Sequence, residues 1–463
     1  MLSEKRISRS QFLRGGAALV GGSALLAACA QGGMAPAAPA DGGEMAAEAE
    51  KPAMMEPTEI TFLWPHYSAG KTRWLEWILE TYNAKETGVN VNTLDVAGSF
   101  GGNPRSKLLA TVAGGAAPDM GWFGVGLHPF SGILYDANEL LKGMKYDMSQ
   151  LNQTLVNGLT WQGKLIAAPI GINTTAWFYN KDLFDKAGVP YPQDSDTFED
   201  RLDAAQKVSA SLSTSDEKIW GVATIHYVAY WIAGMYQGFM DDSGNNVVVD
   251  GPLALESVQW WRDNWAKYEV GPRAEDYNRQ EDAQFFNSFA NGKVAMAVYG
   301  TWGLEPIRRH EAGVNFDIVE QPTAMGDGQE GKGAFFGIEE IFTVATTKKL
   351  DAAAEFLSFL VGEEHLSWTG GQGNIIPAIN SIAEEVFVPS ADSPDPANLL
   401  AFARAADYAK PYFPHPQYGE LRGAYGEAMT PWWNEEATTA KQALEKAEED
   451  CQVIVDDWNA ANL

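Results

Sequence analysis

The chain has 463 residues, 61 acidic against 33 basic side chains, a formal charge of -28 and only two cysteines. So acidic a surface repels nucleic acid and anionic head groups and works against long-range capture of highly charged anions, so a neutral or cationic solute fits better. A chain of this length can bury a core large enough for two or more lobes, and with Cys29 and Cys451 as its only thiols it must draw stability from that core.

Lys5, Arg6, Arg9 and Arg14 precede an apolar Gly/Ala-rich stretch, Gly15 to Ala28, that is too short to span a membrane and reads as an export signal. Its end, Leu26-Ala27-Ala28-Cys29, resembles the lipobox at which bacterial lipoproteins are cut and acylated, which makes Cys29 the expected lipid anchor and first mature residue. Ser8-Arg9-Ser10 resembles a twin-arginine motif with serine in place of the second arginine, so the export route stays open. Without residues 1–28, which hold four basic and one acidic side chain, the charge is -31. Residues 30–57, rich in Ala, Gly, Pro, Glu and Met without periodicity, read as a disordered tether.

From Thr58 the pattern becomes that of an α/β domain. Thr58 to Trp64 reads as a strand, Arg73 to Tyr82 as a helix with Trp74, Trp77, Ile78 and Leu79 at helical spacing, and Val89 to Val96 as a second strand. Lys107 to Ala113 continues as a helix, stopped by Gly114-Gly115 before a Pro118-Asp119 turn. Leu165 to Ile170 suits a strand covered on both faces, made irregular by Pro169 and Gly171. Asp182 is the expected N-cap of a short helix that Gly188 and Pro190 end. Thr197–Ser211 and Ser257–Tyr268 read as amphipathic helices, the latter with Trp261 and Trp265 in the core. Phe285 to Tyr299 gives a helix, an Asn-Gly turn and a strand that ends in Gly300-Thr301-Trp302-Gly303. Val314–Gln321 and Phe335–Val344 follow as strands, then helices at Lys348–Leu360 and Ala437–Asp456.

Trp177 to Phe184 (WFYNKDLF), the Gly-x-Trp at 300–302, the helix Lys348 to Leu360 and the loop Gly370 to Pro377 together resemble the type-one extracellular solute-binding proteins of ABC importers, mostly sugar importers related to maltose-binding protein. The resemblance runs from about Thr58 to the end. It implies a two-lobed periplasmic-binding-protein fold of the type II kind, each lobe a sheet flanked by helices, with three crossovers acting as a hinge. Expected divisions are residues 58–172 and 283–331 for the first lobe, and 173–282 and 332–463 for the second. It also implies a monomer outside the cytoplasm, held to the membrane at Cys29, that binds a mono- or oligosaccharide and delivers it to the permease.

No metal or nucleophile motif is in view, and no cofactor or enzymatic activity is expected. Gly70-Lys71-Thr72 imitates the end of a P-loop, but Pro65 replaces its first glycine, which favours a plain helix N-terminus. Asp241 to Asn246 lacks the ligand spacing of a calcium loop, and His365 lacks a zinc partner. The densest chemical signal is aromatic. A flat ring offers the apolar face of a pyranose a surface while polar neighbours satisfy its hydroxyls. Ligands of open α/β sheets bind beyond the carboxyl ends of the strands, and the aromatics expected there are Trp64, Tyr67, Trp122, Trp177, Trp231, Tyr299, Trp302 and Phe335. Asp119, Thr174, Glu339 and Gln372 are the expected polar partners, with Asn103, Arg105, Asn173 and Asn374 at similar turns. By the resemblance, Trp231 and Trp302 occupy places where aromatics stack on ligand. A polyamine, peptide, glycerol phosphodiester or iron ligand on the same scaffold, or an exported glycosidase using Glu339 and Glu340, are the alternatives.

Overall fold

In the computed structural model the described residues are 57–67, 69–97, 103–124, 126–224, 226–241, 243–273, 288–387, 396–411, 415–436 and 438–462, without the side chains of 97, 103, 224–231 and 387. The expected export signal, Cys29 and the expected tether up to residue 56 lie outside them, as do the side chains of Asn103 and Trp231.

The strands run in chain order β1 (Thr58–His66), β2 (Val89–Ala97), β3 (Met120–Trp122), β4 (Thr160–Trp161), β5 (Lys164–Leu165), β6 (Ala168–Asn173), β7 (Thr175–Asn180), β8 (Trp220–Thr224), β9 (Val294–Gly300), β10 (Phe316–Val319), β11 (Phe335–Thr343), β12 (Ile376–Pro377) and β13 (Lys410–Pro411). A larger sheet has the order β12-β6-β11-β3-β1-β2, with β13 added to β11; a smaller one has the order β10-β7-β9-β8; β4 and β5 form a separate pair. β1 lies parallel to β2 and β3, whereas β11 runs antiparallel between β3 and β6. Phe62, Leu63 and Trp64 are all fully buried because helices cover both faces of this sheet, which is why β1 reads as an apolar run and not as an alternation. The helix Ala69–Asn83 covers one face with Trp74, Leu75, Ile78 and Tyr82.

Local chemistry sets the helix ends. The helix Lys181–Ala187 is capped by Asn180, whose side chain accepts from the Leu183 N–H, so the expected cap at Asp182 moves two residues back; Gly188, at φ 66°, ends it. Asp182 instead lies in the first turn, where its charge suits the helix dipole. Thr197 and Asp200 form a capping box for the helix Phe198–Leu212.

The chain passes from the larger sheet to the smaller at Thr174, between β6 and β7. After β9 the short helix Leu304–Arg308 turns back to pack on the helix Ala69–Asn83. There the buried Glu305 accepts from Arg73 Nε (2.6 Å) and pairs with Arg309 Nε (2.7 Å). β10 then returns to the smaller sheet and β11 to the larger. The expected segment boundaries are therefore corrected: the strands within 283–331 belong with β7 and β8, and β11 belongs with β3 and β6. The reason is pairing. β9 is buried along its whole length and finds neighbours on both edges only between β7 and β8. The helix Leu400–Tyr408 packs on β7, and the helices Tyr418–Trp433 and Ala440–Asn462 pair with each other and reach the helix Pro252–Ala266.

Candidate functional site

β1, β3 and β6 point their carboxyl ends the same way, and β11, antiparallel to them, begins beyond those ends. β8 and β9 likewise end together, with Gly300 opposite the first residue of β7. Both sheets therefore present strand ends at the segments that cross between them, the place where an open α/β sheet binds ligand.

On the larger sheet these ends carry a buried aromatic floor. The Trp64 and Trp122 rings stack at 4.6 Å, and Trp74 meets both edge-on at 5.3 and 5.7 Å. Tyr67 closes on Trp122 at 5.6 Å, and its hydroxyl donates to the Phe123 carbonyl at 3.3 Å. Lys71, in the first turn of the helix Ala69–Asn83, places Nζ 4.4 Å from the Trp74 ring centroid, 4.8 Å from that of Trp122 and 3.5 Å from Glu339 Oε1. The Trp122 indole N–H and the Asn173 amide donate to the same carboxylate. Burial pulls Lys71 down and Glu339 up toward each other, and their mutual attraction opposes both shifts. Glu340 follows Glu339 on β11, and Arg105 supplies the first attractive charge near its carboxyl. Burial, followed by repulsion from Glu339, holds its carboxyl well above the usual range. The ladder shifts register between Glu339 and Glu340, opposite Pro169, which has no N–H to give.

On the smaller sheet, Trp302 packs against Tyr299 (5.4 Å) and Phe335 (5.8 Å), and both Trp302 and Phe335 are partly open. A groove of about 950 Å³ opens beside the floor, between the helices Asn103–Ala113 and Tyr418–Trp433, lined by Arg105, Leu109, Phe130, Tyr418 and Gly423 among others. Arg105 joins groove to floor: its guanidinium lies 5.5 Å from the Phe123 ring and 5.6 Å from that of Tyr418.

Of the expected site residues, the fold brings Trp64, Tyr67, Trp122 and Glu339 together, and gathers Tyr299, Trp302 and Phe335 nearby. Three others are corrected. Asp119 sits at the amino end of β3, where it accepts from Thr61 N (2.8 Å), Thr347 Oγ1 (2.5 Å) and Lys349 Nζ (3.1 Å), bonds that fasten a turn. Trp177 belongs to the core of the smaller lobe, against Trp260 and Trp261, with its N–H on Gln321 Oε1 at 2.8 Å. Thr174 is buried and donates to the Phe402 carbonyl at 2.8 Å. Asp119 lies at the wrong end of its strand, Trp177 on a buried strand and Thr174 in a connection that buries its hydroxyl, distinctions that need the sheet order. Gln372 lines a separate hollow of about 240 Å³ with Arg73, Trp77, Glu305, Arg309 and Trp368. The expected contact at Trp231 rests on a side chain outside the described residues.

Lys71 and Thr301 escaped sequence reasoning. The signal for Lys71 was present in Gly70-Lys71-Thr72 after a strand, and the structure answers it with a buried carboxylate partner. Thr301 had no signal beyond its place between Gly300 and Trp302.

A family model described as bacterial extracellular solute-binding protein matches residues 77–398, more than half of the chain. A maltooligosaccharide ABC transporter solute-binding lipoprotein of Streptococcus pneumoniae is 27% identical over 342 residues, 71% of this chain and 75% of that protein. An arabinooligosaccharide-binding protein of Bacillus subtilis is 22% identical over 314 residues, 66% of this chain and 70% of that protein. Among solved structures, an ABC substrate-binding protein from Listeria monocytogenes in complex with cycloalternan superposes with a TM-score of 0.73 at 22% identity, covering 86% of this chain and 99% of that one. The maltose-bound MalE3 of T. maritima gives 0.70 at 18% identity, covering 86% and 100%. With this fold, and strand ends of both sheets at the segments that cross between them, the chain belongs to the bacterial extracellular solute-binding proteins, a family that binds its solutes and does not transform them.

Proposed function

We propose that this protein captures a neutral sugar, a mono- or oligosaccharide, between its two lobes and delivers it to an ABC permease. One observation carries the reading: partly open aromatic rings, Tyr67 from the larger sheet and Trp302 and Phe335 from the crossovers, surround strand ends that already hold buried hydrogen-bonding groups. Rings supply the apolar face that a pyranose needs, and a groove of about 950 Å³ has room for more than one ring of an oligosaccharide. The oligosaccharide-binding relatives support the same class. Ligand that touches both lobes favours the closed arrangement by its differential affinity for it, and the permease reads that arrangement. The lobes hang as a monomer from a lipid on Cys29, through the tether of residues 30–57.

The test is the melting temperature of the mature domain against sugars, polyamines and glycerol phosphates. A ligand at about 100 times its Kd stabilises by roughly 2.7 kcal/mol. Stabilisation by one sugar class with the sugar recovered intact is the expected result. Stabilisation by a polyamine alone would keep the fold and overturn the ligand, and cleavage of an oligosaccharide would overturn the binding reading itself.

A further inference from the structure

Two connections run between the sheets, at 173–175 and at 321–335, and a third segment, 300–302, leads from β9 to the helix Leu304–Arg308 that packs on the helix Ala69–Asn83; side-chain hydrogen bonds tie these segments together. Thr301 donates through its hydroxyl to Asn173 Oδ1 and through its N–H to the Thr174 carbonyl at 3.1 Å. The other end of the Asn173 amide, Nδ2, donates to Glu339 Oε1, and Glu339 in turn holds the Trp122 indole N–H and Lys71. Thr175 Oγ1 accepts from the Phe335 N–H at 3.1 Å and from Gln321 Nε2 at 3.0 Å. Asn173, Thr301 and Glu339 are all buried, at 5%, 0% and 2% exposure, so no water competes for these bonds.

The chemistry of this chain has one direction. Glu339 accepts from Trp122 at Oε2 and from Asn173 at Oε1, and the Thr301 hydroxyl gives its proton to Asn173, so the residue between them must donate on one side and accept on the other. An amide does this in one orientation. Aspartate, of the same shape, would set a second buried carboxylate against Glu339, and an apolar residue would take the acceptor from the Thr301 hydroxyl and one donor from Glu339. The residue after Thr301 is Trp302, whose ring folds back over Gly300 and rests on Tyr299 and Phe335. Its backbone is thus anchored one residue away to the same carboxylate that fixes the floor ring Trp122.

We propose that Asn173 is a positioning residue: its amide, held between Glu339 and Thr301, locks the place of Trp302 relative to the Trp122 floor. The two aromatic surfaces then lie in register before any solute arrives. The inference deepens the solute-binding reading, and its test needs no solute.

The test is the fluorine NMR spectrum of the ligand-free mature protein labelled with 5-fluorotryptophan, the Trp302 signal being assigned by its loss in Trp302→Phe. Thr301→Val keeps the shape and removes the donor; the expected result is displacement of the Trp302 signal by more than its linewidth, or its splitting. Thr301→Ser restores the hydroxyl and the native position, a rescue that packing alone would not give. Thr301→Ala reads the same link without added apolar bulk and is expected to behave as Thr301→Val. A Trp302 signal unchanged in both variants, or displaced equally in Thr301→Ser, would overturn the proposal, whatever solute the protein binds.

Discussion

At the scale of single residues, Gly300 shows how a position is constrained by space and not by backbone conformation. Its φ of -94° suits any residue. A Cβ there would stand 2.0–2.3 Å from three atoms of the Trp302 ring, well inside contact distance. The ring has to swing away to admit even a methyl group. Gly300→Ala is expected to lower affinity for the stabilising sugar at least tenfold, about 1.4 kcal/mol, while β9 remains paired. Calorimetric titration beside a melting curve separates the two effects, and unchanged affinity would remove Trp302 from the site. Sequence placed Trp302 just past a strand end, where β9 does end, yet it placed Trp177 by the same rule, and only the pairing of β7 shows that ring to be core. Asp119 fails likewise: the Pro-Asp turn was legible, but the end of the sheet at which it lies was not.

At the scale of elements, the helix Glu363–Gly371 meets the helix Ala69–Asn83 through a buried histidine. His365 Nε2 accepts the Trp74 indole N–H at 2.8 Å, and Nδ1 lies 2.6 Å from the Leu360 carbonyl, which fixes the neutral ring with its proton on Nδ1. Burial depresses its pKa to about 4. In the unfolded chain a histidine titrates near 6.5, so the folded state binds fewer protons between those values. Stability is therefore complete above about pH 6.5 and falls as pH drops toward 4, by up to about 3 kcal/mol from this group. His365→Gln offers an amide that cannot be protonated in that range. Melting curves from pH 7 to pH 4 are expected to slope less in the variant than in the native protein, and equal slopes would place the acid sensitivity elsewhere. The helices and most strands were legible from periodicity because their inner faces are continuous; the sheet to which β9, β10 and β11 belong was not, since pairing partners are remote in sequence.

At the scale of the whole molecule, the acidic surface and the proposed anchor belong together: a chain that carries -31 beyond its signal has little attraction for an anionic membrane and needs a covalent tie to stay beside one. Cys29→Ser is expected to move the protein from the membrane fraction into the soluble fraction without changing its melting temperature, since the substitution lies 29 positions before Thr58, where the α/β pattern begins. Retention of the variant on membranes would refute the anchor. The sequence by itself determined the α/β class, which follows from local periodicity, and the family resemblance that implied two lobes, which is carried by motifs short enough to read along the chain. The tertiary structure alone decided which strand ends meet. The Lys71–Glu339 pair and the Asn173 link to Thr301 join residues 268 and 128 positions apart, and hydrogen bonds across such separations leave no periodic trace in a single sequence.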